Sequence, residues 1–235
     1  MNLSQVMSEL KNKGSAQTRR IFERHGAPDD FFGVKVGDLK PIARKIRGLQ
    51  DLACELYETG NADAMYLAGM VADGAQMTKT QLNRWAKQAP WHMISEYTVP
   101  GVTCEHPAAP DLAMKWIRSK KESVASAGWA TYAAILATRD DKELDKQEIR
   151  GLLKDIEKNI DKAGDRVRYT MNGFVIATGT YVKSLLPAAR ATARKIGKVS
   201  VNTGDTACKV PLATESIEKV ERLGRVGKKR KTVKC

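Results

Sequence analysis

No apolar run in the 235 residues approaches the ~20 consecutive apolar positions that a membrane-crossing helix needs. The first stretch, MNLSQVMSELKNKG, has neither an apolar core segment nor a small-residue cleavage site. Export is therefore not expected, and a cytoplasmic, nucleoid-associated location is. Cysteine is scarce: Cys54, Cys104, Cys208 and Cys235 lie far apart with no CxxC pair, which argues against a disulfide framework or a zinc ribbon. Reduced thiols are the expectation, with Cys208 in DTACKVP a small buried one because no histidine stands near it to make it a nucleophile. Histidine is scarcer still, and Cys104 with His106 in "CEH" has no further ligands at metal spacing, so neither metal nor cofactor is expected. Apolar and polar residues rarely alternate. GKVSVNT is the main such stretch, too short to suggest a sheet.

What the chain has is positive charge and helical periodicity. Lys and Arg number 40 against 27 Asp and Glu, a formal net charge of +13. Such an excess favours a polyanionic partner, because clustered cations release counterions from a phosphate backbone. A basic protein with another acidic partner, or with none, stays open. Most segments read as helices bounded by caps and glycines: SQVMSELKNKG with Ser4 as cap, SAQTRRIFERHG with Ser15, and VGDLKPIARKIRG with Leu39, Ile42, Ala43 and Ile46 at helical spacing. Ala64/Ala68/Ala72, Ala130/Ala133/Ala137 and Gly173/Ala177 form small-residue stripes along which neighbouring backbones can approach. The expected fold is all-α, helix pairs stacked as a HEAT-like solenoid, with a compact helical bundle as the alternative.

The texture changes after Gly197. Residues 1–196 read as the helical domain, and residues 197–235 as a loop, a short helix (TESIEKVERLG, Thr214 as cap) and the basic tail GRVGKKRKTVKC. Such a tail is either a solvated end or a phosphate-contacting arm.

The ordered set of segments DDFFGVKVGDLKPIARKI, LACELYETGNADAMYLAGMVAD, APWHMISEYTVP, GWATYAAILATRD and RYTMNGFVIATGTYV resembles the AlkD-like DNA alkylation repair family. The resemblance implies a HEAT-like solenoid presenting a basic face to double-stranded DNA, working as a monomer without a small-molecule cofactor. It also implies hydrolytic release of cationic N3- or N7-alkylpurines at a site of two tryptophans, an aspartate and an arginine. Carried over on the shared VP, the aspartate position is Glu96 and one tryptophan position is His92, with Trp91 beside it. The arginine position is Tyr132 in YAAI and the second tryptophan is Phe174 in NGFV. All four positions differ, although Glu96 and Phe174 keep the chemical type.

An alkylated purine is already a good leaving group, so the remaining chemistry is electrostatic: stabilising an oxocarbenium-like sugar and placing a water. Glu96 is the candidate acid, and on an α-helix it would share a face with His92 at i,i+4. Trp91, following Pro90, is a candidate to lie against sugar or base, or a core residue. Phe174 carries the same two readings. Candidates for DNA contact, besides Tyr132 and Phe174, are Arg166 and Arg168 at the start of a helix, Lys183 after it, Lys198, Lys209, and the run Lys228, Lys229, Arg230 and Lys231. Three functions follow: an N-glycosylase of weak or altered activity, a non-catalytic module reading DNA shape or damage, or a scaffold for a protein partner.

Overall fold

The computed structural model describes residues 1–204 and 206–234, which leaves Cys235 outside. The described residues hold helices and no strand, and GKVSVNT is an irregular connection.

One compact unit takes in residues 1–107 with Lys234 and a few residues around Gly204. Its helices are α1 (Leu3–Lys13), α2 (Ala16–Arg24), α3 (Val36–Lys45), α4 (Gln50–Glu58), α5 (Ala62–Val71), α6 (Lys79–Gln88) and the short α7 (Val99–Thr103). Asn2, two residues before the expected Ser4, caps α1 in a capping box with Gln5. Ser15 caps α2 as expected. Helix α5 is buried on nearly every side, as an Ala-rich helix inside a stack must be. Its Asp63 carboxylate accepts the backbone N–H groups of Phe32, Gly33 and Val34 at 2.6, 2.9 and 3.1 Å, fixing the connection before α3. Burial pushes the Asp63 carboxyl up, and the three donors act against that. Tyr57 of α4 stacks on Trp85 of α6 at 3.8 Å and donates its hydroxyl to the Trp85 carbonyl.

The second unit takes in residues 108–202 and 208–233. It contains α8 (Ala109–Ile117), α9 (Glu122–Thr138), α10 (Lys146–Asn159), α11 (Asp165–Tyr181), α12 (Leu186–Ile196) and α13 (Ala213–Arg222). Helix α9 lies between α8 and α11, and α11 also carries α12 and α13. The close seam on α9 runs through Gly128, where a Cβ would sit 2.5 Å from the Ile117 nitrogen. It does not run through Ala130 and Ala133, which are half-exposed. On α11 the corresponding glycine is Gly179, packed under Ile217 of α13, whereas Gly173 faces open space. Of the two expected stripes, Ala137 and Ala177 are buried but the closest approaches fall at Gly128 and Gly179: spacing finds a row of small residues but not the neighbour it meets. Thr214 does not cap α13, whose N-cap is Leu212 with no side-chain bond. Cys208 is exposed, not buried, because it lies in an irregular connection and not on a helix face turned to the core.

Candidate nucleic-acid interface

The segment WHMISEY follows α6 through Ala89 and Pro90. The amides of Ile94 and Ser95 both reach the Trp91 carbonyl at 2.9 Å. Residues Ile94–Thr98 then form a π-helical turn, and the Val99 amide donates to the Ile94 carbonyl five residues back. A wide turn has a local cause here. Pro100 lacks an N–H, and its ring would strike the carbonyl four residues earlier in a regular helix. The turn is seated on α5 at Gly69, where a Cβ would lie 2.6 Å from Thr98 Cγ2. The α-helical i,i+4 argument for His92 and Glu96 therefore fails, because the turn between them is not α-helical.

Each side chain of the segment has a defined place. Trp91 is 7% exposed; its Nε1 donates to the His25 carbonyl at 2.8 Å and its ring lies 5.3 Å from Phe22. It ties the turn to the end of α2. His92 meets the Trp91 ring edge-on and is half-exposed. Glu96 is buried at 6% exposure, and Tyr97 beside it is 47% exposed. Sequence reasoning passed over Tyr97, because a tyrosine among apolar neighbours carries no signal for which side of a π turn it takes.

In the second unit, Tyr132 of α9 and Phe174 of α11 are brought together, but in the core. Phe174 has no exposed surface and meets Trp129 and Tyr132 edge-on, at centroid distances of 5.3 and 5.5 Å. Tyr132 is 2% exposed and donates its hydroxyl to Glu148 of α10. Burial first, then the neighbouring carboxylate, raises the Tyr132 phenol well above the usual tyrosine range. Neither side chain offers a surface to DNA. The reason is the helix pair itself, whose facing sides are apolar and closely packed. Glu148 is a partner the sequence did not announce, since it lies sixteen residues away on another helix.

The cations separate into two groups. Arg166 lies over the Tyr169 ring at 4.5 Å, and its amide donates to Glu122 at 2.9 Å; Arg168 pairs with Asp165. The N-terminus of α11, expected to face phosphate, thus already holds a carboxylate of the protein. Lys229 is turned inward, with 18% of its side chain exposed. Lys183, Lys198, Lys209, Lys228, Arg230 and Lys231 are exposed.

With this arrangement in place, comparison with known proteins narrows the reading. A solved structure 37% identical in sequence superposes with a TM-score of 0.91 over 100% of both chains. It is described as a new family of proteins related to the HEAT-like repeat DNA glycosylases, with affinity for branched DNA structures. The uncharacterized proteins Lin0241 of Listeria innocua and Lmo0209 of Listeria monocytogenes are each 33% identical over 225 residues, covering 93% of this chain and 97% of theirs. The family model described as DNA alkylation repair enzyme matches residues 6–189. The all-α HEAT-like architecture and the span of that match make this chain a member of the DNA alkylation repair family.

Proposed function

We propose that the protein binds double-stranded and branched DNA through phosphate contacts, reading the shape of the nucleic acid, and does not excise bases. The observation that carries this reading is the burial of the pair at the family's arginine and tryptophan positions: Tyr132 at 2% and Phe174 at 0% exposure. Two groups that would contact a nucleotide have become packing. A charge of +13 and the exposed Lys183, Lys198, Lys209, Lys228, Arg230 and Lys231 supply the electrostatic attraction. The affinity of the 37% identical relative for branched DNA points the same way. Shape is readable without base contacts, because phosphate positions differ between a linear duplex and a junction.

Fluorescence anisotropy on a four-way junction and on a linear duplex, titrated with salt, tests it. Binding that weakens linearly in log K against log salt, and is tighter for the junction, is expected. Weak, salt-independent binding would instead favour a protein-binding scaffold. Glu96, buried on the π turn, supports a second reading in which slow release of cationic alkylpurines persists. A single-turnover assay on duplex carrying one N7-methylguanine separates the two. Release above the spontaneous rate, lost in Glu96→Gln with DNA binding retained, would establish the second reading over the first.

A further inference from the structure

The basic tail departs from the pattern of a solvated arm. After α13, the Gly227 amide donates to the Thr180 carbonyl at 2.8 Å, in the last turn of α11. The Arg230 amide donates to the Ala137 carbonyl at 2.7 Å, in the last turn of α9. Between them, the Lys229 ammonium donates to the Leu136 carbonyl at 2.9 Å. Asp141 lies 2.8 Å from the same ammonium but off the hydrogen-bond direction, so it contributes charge and not a directed bond. Carbonyls at a helix C-terminus lack intrahelical partners and carry the negative end of the dipole, so a basic segment is well matched to them.

Residues 228–230 have no regular secondary structure, and their burial alternates: Lys229 is half-buried between exposed Lys228 and Arg230. With Lys229 held inward, Lys228 and Arg230 stand outward, and Lys231 is exposed after them. Lys183 lies beside the same segment: a Cβ on Gly227 would be 3.5 Å from its Cβ. Among the described residues, none of Lys183, Lys228, Arg230 and Lys231 has an ion-pair partner.

Resting on the DNA-binding reading above, we infer that residues 227–231 form a docked strap. Lys229 is its positioning residue, and Lys228, Arg230, Lys231 and Lys183 are its pre-ordered phosphate-contacting patch for a nucleic-acid backbone. A disordered tail would lose side-chain and backbone freedom on each contact, whereas a strap already ordered loses less, so the same charges bind more tightly.

Two variants of the full-length chain test this, each read twice. Lys229→Met removes the anchor together with one charge. Gly227→Pro changes no charge, but it removes the amide donated to Thr180 and cannot adopt the Gly227 φ of +81°. The first readout needs no DNA: trypsin cleavage within residues 228–231, followed by mass spectrometry. Both variants are expected to be cut about tenfold faster than wild type, roughly the weight of one hydrogen bond to the helix ends. The second readout is affinity for a four-way junction, with Lys231→Met as the reference for losing one exposed charge. Both variants should lose more affinity than Lys231→Met, and Gly227→Pro should do so at full charge. Cleavage at the wild-type rate in both variants would overturn the strap. Faster cleavage of Gly227→Pro with wild-type junction affinity would overturn the pre-ordered patch. Absence of junction binding by wild type, its tail still protected, would overturn the DNA-binding reading and with it the patch's partner.

Discussion

The turn Trp91–Tyr97, with His92 and Glu96, and the cluster that Tyr132 and Phe174 form with Trp129 hold the positions that the family resemblance implies for one chemical task, yet they are built on opposite principles. The turn is irregular, with a π register, a buried carboxylate at Glu96 and an exposed phenol at Tyr97. The cluster is regular, formed between two seventeen-residue helices, and its two polar handles differ in fate. The Tyr132 hydroxyl has Glu148, whereas the Trp129 indole N–H is buried without a hydrogen-bond partner. The difference teaches that positions one resemblance groups into a single site can be held in unlike ways by the fold. Between the packed helices α9 and α11, Tyr132 and Phe174 are covered by their neighbours. On the wide turn forced by Pro100, the surface is varied.

The contrast breaks most sharply at Phe174. If the cluster is core, Phe174→Ala lowers unfolding free energy by about 3–5 kcal/mol, the usual cost of truncating a fully buried aromatic, measured by urea denaturation. Phe174→Trp, the tryptophan that the resemblance implies here, adds volume to a site with no exposed surface, and overpacking should cost about 1–3 kcal/mol. An unchanged or raised stability in Phe174→Trp would mean that the cluster has room for a contacting indole, and the comparison would collapse.

Tyr132→Phe comes next. It removes a buried hydroxyl whose acceptor, Glu148, keeps its charge, and a loss of about 1–3 kcal/mol is expected. The pH dependence sharpens this. The Tyr132 phenol is raised in the fold, as is that of buried Tyr57 in the first unit, while unfolded tyrosines ionise near pH 10. The unfolded chain therefore gives up its protons first. Stability from these groups is full below about pH 10 and falls as the pH rises above it, by about 1.4 kcal/mol per pH unit for each such tyrosine. Denaturation series from pH 9 to 11 should show a shallower slope in Tyr132→Phe and in Tyr57→Phe. A slope left unchanged by Tyr132→Phe would place its phenol in contact with water.

How far the sequence reached follows the same division. The all-helical class and the cap at Ser15 were legible, because periodicity and capping are local. The closest approaches along the small-residue stripes were not, since Gly128 and Gly179 take their meaning from Ile117 and Ile217 on other helices. The π turn was hidden because a proline six residues after Ile94 sets the register of residues that otherwise read as α-helix. The inward Lys229 was hidden too. A run of four cations has no internal mark for the one that meets a helix end, and only the carbonyls of α9 select it.

On the turn itself the effects should be smaller. Trp91→Phe keeps the packing against Phe22 but leaves the His25 carbonyl without its indole donor, for a loss of about 1 kcal/mol. Thermal unfolding checks it, and junction affinity should not change, because the ring is nearly covered. A loss of affinity at wild-type stability would show that Trp91 touches nucleic acid after all.

The smallest change in stability belongs to Tyr97→Ala, and it bears most directly on the turn as a contact surface. Tyr97 is 47% exposed, and substitutions at exposed surface positions usually change stability within about 0.5 kcal/mol, so denaturation should scarcely move. A phenol on a basic protein is nonetheless a platform on which an unstacked base can lie, worth about 1–3 kcal/mol where such stacking occurs. Branched DNA offers unstacked bases at its branch point more readily than a linear duplex does. If the turn is the part that senses branching, Tyr97→Ala weakens junction binding while leaving duplex binding near wild type, with an unchanged salt slope, because no charge is lost. Equal loss on both substrates would make Tyr97 a general contact, and no loss on either would leave branch recognition to the phosphate-contacting cations alone.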